Sequence, residues 1–260
     1  MSVNKTASCM PEAGSVVIIT GASKGIGAAT AKKLAADGCW VVVSSRSQEN
    51  CQLLVDEIEQ AGGEALAVSC HIGDEDQLQA LIDKTISHWG QIDGLVCNAA
   101  SNPVYGPAKV VDYKAFELIM RNNVYSAMKL TVLAAGHMQS GGSVVIISSI
   151  AGLMGSRMIG AYGVSKAAEM ALIRNLALDY GKQGIRVNGV APGLIETDFS
   201  SALMNNPALM NKVHNESALG RVGQPNDIAG PICFLLSDCA SFITGQTIIA
   251  DGGMVIADPL

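Results

Sequence analysis

A tyrosine and a lysine four residues apart on a helix place a phenol and an ammonium on one face. That is the geometry needed to draw a phenol toward a working pKa. The sequence holds this spacing three times, at Tyr105-Lys109, Tyr125-Lys129 and Tyr162-Lys166. Gly106-Pro107 interrupts the first pair, and proline there argues against a helix. The second falls in the middle of a long helical stretch, away from any strand end, and reads as packing and solvated surface. The third stands near the start of the helix after an apolar run that closes in Ser148-Ser149, so hydroxyl, phenol and ammonium can converge at one sheet edge.

A second chemistry is written in Thr20-Gly21-Ala22-Ser23-Lys24-Gly25-Ile26-Gly27. Three glycines between a strand and a helix let a pyrophosphate approach the helix N-terminus, although the spacing is G-x-x-x-G-x-G and not G-x-G-x-x-G. The next apolar run ends in Ser44-Ser45-Arg46, without the acidic side chain that would accept from an adenosine ribose. Arg46 and Lys24 offer a 2′-phosphate charge-assisted hydrogen bonds, which favours NADP(H) over NAD(H).

Positioning these groups requires an alternation of short Val- and Ile-rich runs with amphipathic stretches, the pattern of an α/β doubly wound parallel sheet covered on both faces. Strands are expected at 16–19, 40–44, 65–69, 92–97, 144–148, 185–190 and 246–250. Helices are expected at 26–36, 53–60, from a cap at Asp74 to about 89, and at 112–137, 161–180 and 225–236. Residues 193–223 follow Pro192-Gly193, are polar, and read as a mobile insertion over a site and not as a sheet element. With no linker or composition break, the expectation is an N-terminal extension over 1–14 and one domain over 15–260.

Composition narrows the partners. The chain has 260 residues, 49% hydrophobic and 15% charged, with a net charge of −6. That rules out general disorder and leaves no basic footprint for nucleic acid or an anionic membrane, so a small molecule is the expected partner. No apolar run approaches the ~18 residues of a spanning helix, and neither end carries a targeting pattern; the reading is cytoplasmic. Seven cysteines without a C-x-x-C pair read as small buried hydrophobes, and four histidines without H-x-x-x-H spacing give no zinc-type site, so no metal is expected.

Taken together, these motifs resemble the short-chain dehydrogenase/reductase family over nearly the whole chain, from Val16 to Gly253. Besides the glycine loop, Cys97-Asn98-Ala99-Ala100 is similar to the family's Asn-Asn-Ala-Gly, and Asn122-Asn123 matches its helix Asn. Ser149 stands thirteen residues before Tyr162, and Pro192-Gly193-Leu194-Ile195-Glu196-Thr197 is similar to the family's lid entrance. The likeness is greatest to 3-oxoacyl-[acyl-carrier-protein] reductases and NADP-dependent carbonyl reductases.

The resemblance implies a Rossmann-type sheet of about seven strands and hydride transfer between a nicotinamide and a ketone or secondary alcohol. Tyr162 would be the general acid/base, Ser149 the donor to the substrate oxygen, Lys166 the group that lowers the tyrosine pKa and holds the nicotinamide ribose, and Asn123 the holder of a relay water. The cofactor would meet Gly21, Ser23, Lys24, Gly25, Ile26, Gly27, Ser45, Arg46, His71, Ile72, Asn98, Ala99, Tyr162, Lys166, Pro192, Gly193, Ile195 and Thr197. Cys70-His71-Ile72 stands where the family carries Asp-Val, so the adenine contact falls to His71 or to backbone. The resemblance also implies a homotetramer. An NAD-linked alcohol or sugar-acid dehydrogenase is the alternative enzyme on this fold, and a cofactor-binding scaffold without turnover is disfavoured by the presence of Ser, Tyr and Lys. Pro103, Tyr105, Leu153, Met154, Leu194, Phe199, Leu203 and Met204 would shape the pocket and suggest a largely apolar substrate. Lys212 and Arg221 near the lid make no basic cluster for a carrier protein.

Overall fold

The computed structural model describes residues 9–200, 204 and 207–256. The β-branched runs form seven strands: β1 (Val16–Thr20), β2 (Trp40–Ser45), β3 (Glu64–Ser69), β4 (Gly94–Cys97), β5 (Ser143–Ile147), β6 (Arg186–Pro192) and β7 (Thr247–Ala250). They pair in parallel in the order β3-β2-β1-β4-β5-β6-β7. Joining them are α1 (Gly25–Ala36), α2 (Gln48–Gln60), α3 (Glu75–Trp89), α4 (Tyr113–Met120), α5 (Ser126–Ala135), α6 (Gly160–Tyr180), α7 (Pro207–Glu216) and α8 (Pro225–Leu236).

Strand side chains alternate between two cores, as a period of two demands. Val17, Ile19, Val41, Val43, Val145 and Val190 pack against α1, α2 and α8 through Leu34, Val55 and Ile232. Ile18, Val42, Leu95, Val144, Ile146 and Val187 face α3, α5 and α6 through Leu81, Leu130 and Ile173. Each such fully buried side chain contributes roughly 1.5–3 kcal/mol of transfer free energy. The chain steps outward from β1 to β3, then returns to β4 on the other side of β1. That reversal opens a crevice at the carboxyl ends of β1 and β4, where ligands bind in such sheets.

Several boundaries differ from the sequence expectation for local reasons. α2 begins at Gln48 and not at Leu53, because the Ser47 side chain accepts from the Asn50 backbone N–H at 3.2 Å and caps it. Asp74 caps α3 as expected, accepting from Asp76 and Gln77. The helix expected over 112–137 is broken by a π-helical segment, Arg121–Tyr125, where Asn122 and Asn123 turn their side chains inward to the loop after β4. Segment 193–223 is more structured than its composition suggests: Ile195 forms a parallel bridge with Gly223, and α7 lies within it. At the opposite end, the Arg186 guanidinium donates to the carbonyls of Leu235, Leu236 and Ser237 and so ties β6 to the end of α8.

Candidate active site

The turn between β1 and α1 is a backbone cradle. Gly21 and Gly25 take φ values of +63° and +59°, which L side chains rarely adopt. A Cβ on Gly27 would stand 2.5 Å from the Gly21 carbonyl oxygen and 2.8 Å from Ala22 Cα, so only glycine lets α1 start this close to its own turn. The first turn of α1 carries no acidic residue and no side-chain cap, which leaves its positive end for an anion. A pyrophosphate fits this donor set. Asn98 braces the cradle: its Nδ2 donates to the Thr20 and Gly21 carbonyls at 2.9 and 3.1 Å, and the Thr20 hydroxyl accepts from the Asn98 and Ala99 backbone N–H groups.

At the end of β5 the Tyr162-Lys166 pair meets Ser149. Tyr162 sits in the first turn of α6 and is 9% exposed; Lys166, one turn on, is 1% exposed with its Nζ 5.3 Å from the Tyr162 ring centre. Ser149 accepts from the Ala151 backbone N–H and opens a short 3-10 turn, presenting its hydroxyl beside the phenol. The other two pairs have different fates. Tyr105-Lys109 lies against a single 3-10 turn, Ala108–Val110, and Tyr125 and Lys129 both bind Glu75 on the surface, at 2.9 and 3.1 Å.

Asn123 joins the pieces, donating from Nδ2 to the Ser101 carbonyl and the Ser165 hydroxyl while Oδ1 accepts from the Ser101 N–H. It clamps the loop after β4 to α6. Beneath the pair lies a residue that the spacing argument missed: Glu169, whose Oε1 is 2.8 Å from Lys166 Nζ, with both side chains at 3% exposure or less. The Lys166 ammonium also donates to the Ile147 carbonyl at 2.8 Å. The signal was present, since Glu169 follows Lys166 by three residues and so shares its helical face.

These contacts set the electrostatics. Burial raises the Tyr162 phenol; the Lys166 charge draws it down, Glu169 pushes it up again and the Ser149 hydroxyl lowers it, for a net rise. The lysine therefore acts in the expected direction, but burial and its own counter-charge outweigh it. Burial alone would lower the Lys166 ammonium, yet Glu169 and then Tyr162 carry it above its ordinary value. Burial lifts the Glu169 carboxyl against the pull of Lys166.

The remaining predicted residues line the same edge with unequal freedom. Thr197 lies against the glycine turn, its Cγ2 3.1 Å from the place a Gly25 Cβ would take. Gly193 donates to the Ala250 carbonyl, and Pro192 ends β6 beside it. Ile195 is buried, and Ser23 and Ile26 are half-buried at the turn. Ser45 is engaged by Ser47 and Cys51, and Arg46 beyond it is exposed. Lys24 does not stand open: its ammonium pairs with Asp198 of the lid segment at 2.9 Å. His71 receives the Gly73 N–H on Nδ1, while Ile72 packs on the core beside α3.

At the mouth, Tyr105, Leu153, Met154 and Phe199 are 44–46% exposed, and the Phe199 ring lies 5.8 Å from that of Tyr162. Pro103 is exposed, and Leu194 and Met204 are half-buried. Leu203, the side chain of Lys212 and residues 1–8 of the expected extension lie outside the described residues. Among the described residues no cluster of His, Cys, Asp and Glu could hold a metal, and no helix is long and apolar enough to cross a membrane.

The sequence matches the family described as Enoyl-(Acyl carrier protein) reductase over residues 21–255. It is 39% identical over 245 residues to Dehydrogenase/reductase SDR family member 4 of Oryctolagus cuniculus, spanning 94% of each chain. Among solved structures, a 7α-hydroxysteroid dehydrogenase complexed with NADH and 7-oxo glycochenodeoxycholic acid aligns with a TM-score of 0.88 and 39% identity, over 94% of this chain and 95% of that one. A blue fluorescent protein from a metagenomic library, in complex with NADPH, aligns with a TM-score of 0.86 and 31% identity, over 93% and 98%.

Proposed function

This chain belongs to the short-chain dehydrogenase/reductase family, a family of nicotinamide-dependent oxidoreductases acting on CH–OH and C=O groups, and we propose that it is an NADP(H)-dependent reductase of a largely apolar ketone, or dehydrogenase of the matching secondary alcohol. The observation that carries the reading is the convergence of Ser149, Tyr162 and Lys166 at the end of β5, within the crevice that begins at the glycine turn.

When bound, the dinucleotide supplies or accepts the hydride. Gly21, Ser23, Gly25, Ile26 and Gly27 would hold its pyrophosphate at the start of α1, with Asn98 and Ala99 shaping the wall and Pro192, Gly193, Ile195 and Thr197 closing over it. In the reductive direction Tyr162 gives its proton to the carbonyl oxygen, and Ser149 donates a hydrogen bond to the same oxygen as charge grows there. Lys166 favours the phenolate that remains and holds the ribose side of the site. Asn123, saturated by Ser101 and Ser165, keeps the helix break and the loop after β4 in register with α6.

The cofactor assignment rests on Ser45 and Arg46 at the end of β2, where no carboxylate opposes a 2′-phosphate. Its alternative, an NAD-linked alcohol or sugar-acid dehydrogenase, draws support from Lys24, whose ammonium is already taken by Asp198. The exposed apolar mouth formed by Tyr105, Leu153, Met154 and Phe199 supports an apolar substrate, such as a 3-oxoacyl chain or a polycyclic ketone. Residues 193–223 would serve as its lid. Leu178 on α6, Phe242 in the connection before β7 and Ile249 on β7, all exposed, support burial between subunits of a homotetramer.

A panel of ketones and alcohols, read by cofactor absorbance with wild type and Tyr162→Phe, tests the chemistry. The variant is expected to lose at least a hundredfold in kcat; undiminished turnover overturns the mechanism. Titration with NADPH and NADH tests the cofactor: NADPH binds more tightly, Ser45→Asp weakens NADPH selectively, and tighter binding of NADH reverses the assignment.

A further inference from the structure

A carboxylate taken out of water costs free energy unless it is paired and hydrogen-bonded. Glu169 is 2% exposed, and only one of its two oxygens is satisfied: Oε1 takes the Lys166 ammonium, while Oε2 is buried without a partner. The Ser148 hydroxyl stands beside it but spends its proton on the Lys166 carbonyl at 2.8 Å. A residue kept only for packing at this position would be apolar, as Ile173, one turn on along the same buried face, is. We propose that Glu169 is the positioning residue of the Tyr162-Lys166 pair, anchoring the ammonium against the end of β5 and offsetting part of its charge where the phenol feels it.

The geometry gives the anchor its direction. Lys166 is held by Glu169 and by the Ile147 carbonyl, which leaves its third N–H for the crevice. A lysine side chain has four rotatable bonds, and two fixed partners remove most of that freedom before any ligand arrives. The charge works the other way. With Glu169 ionised the pair is close to neutral, and Lys166 favours phenolate less than a free ammonium would.

The other groups facing this pocket do not compete for the role. Cys97 on β4 is pushed up to about 12, first by burial and then by Glu169, and stays a thiol. Thr131 on α5 contacts that thiol, Ser148 and the Ile147 carbonyl come from β5, and Ser149 and Tyr105 act on the phenol itself. Glu169 is the carboxyl among them.

The inference rests on Tyr162 being the acid/base, and its test separates the two claims. Glu169→Gln keeps the size and an acceptor for Lys166 but removes the charge. The acid limb of the kcat/KM profile for alcohol oxidation should move to lower pH by about one unit. Tyrosinate absorbance of the cofactor-free protein, with the Tyr162→Phe signal subtracted, should show the Tyr162 step moving with it. NADPH affinity should fall severalfold, since a neutral amide acceptor holds the ammonium less firmly than the carboxylate does. A purely structural glutamate would cost activity or stability with both titrations unmoved, and that result overturns the proposal. If Glu169→Gln proves insoluble, Glu169→Asp retracts the charge by one methylene: a downward displacement of a few tenths of a unit in the tyrosinate step supports the role, and none refutes it. Undiminished activity of Tyr162→Phe would remove the acid/base reading while leaving the cofactor-free titration to judge Glu169 by itself.

Discussion

Replacing Gly27 by alanine sets a helix gain against a steric loss within one residue. In an open helical position the change stabilises by roughly 0.5–1 kcal/mol, because alanine loses less chain entropy. At Gly27 the new methyl would lie 2.5 Å from the Gly21 carbonyl oxygen, 2.8 Å from Ala22 Cα and 2.8 Å from Asn98 Nδ2. Two of these are backbone atoms, and the third is held by the Thr20 and Gly21 carbonyls, so none can swing away freely. Overpacking of this kind costs about 1–3 kcal/mol, and displacing Asn98 loses hydrogen bonds of about 1 kcal/mol each. After the helix gain, a net destabilisation of about 1–4 kcal/mol remains, a fall in Tm of roughly 2–16 °C for a chain of this size. NADPH affinity should drop about tenfold or more, as the turn must open to admit the methyl.

Gly181 supplies the control. It continues α6 in helical conformation with nothing inside 4 Å of its added Cβ, so Gly181→Ala should raise stability by about 0.5–1 kcal/mol. Paired urea and thermal melts with NADPH titrations read both variants. Equal stability of Gly27→Ala and wild type, or displacement of the two variants in the same direction, would refute the steric argument.

The thiols and one surface carboxylate give further checks. Burial lifts Cys39 and Cys70 to about 11 and Cys233, like Cys97, to about 12, so at pH 8 each is ~0.1% thiolate or less. Cys9 is exposed and its Sγ lies 2.7 Å from that of half-buried Cys239, a departure from the expectation that all seven are buried. Native alkylation read by mass spectrometry should therefore mark Cys9 and Cys239 first, and early labelling of Cys97 or Cys233 would contradict the burial. Asp227 is held at about 2, below an ordinary 3.8, by Arg221 and then by the Gln224 N–H. A depressed carboxyl stabilises the native state above the ordinary value and loses that contribution as pH falls toward 2. Acid titration of stability should be shallower in Asp227→Asn over this range, by a small margin because both partners are open to water; an unchanged slope would show that the pair contributes nothing.

Local rules carried far in this chain. Runs such as Val16–Ile19 and Val144–Ile147 could only be buried strands, and Asp74 had to cap a helix because its carboxylate satisfies two free N–H groups of the first turn. The glycine turn, the Tyr162-Lys166 spacing and Ser149 are likewise legible, since each is a pattern within one turn or one strand end. What escaped depends on where segments meet. The π-helical break at Arg121–Tyr125 exists because Asn122 and Asn123 find partners in the loop after β4, some twenty residues earlier. Asn98 reads as a ligand contact in sequence, and only the fold shows that its Nδ2 also braces the Thr20 and Gly21 carbonyls.

Lys24 reads as a free cation until the lid brings Asp198 to it, 174 residues later in the chain. Glu169 shows the division most clearly. Its type and its spacing from Lys166 are properties of the sequence. Its meaning depends on the end of β5 packing against α6 and removing the water that would otherwise screen both charges. The residues at the active edge were therefore determined by sequence. Their electrostatic coupling was decided by the tertiary structure, because only packing sets which charges are buried together.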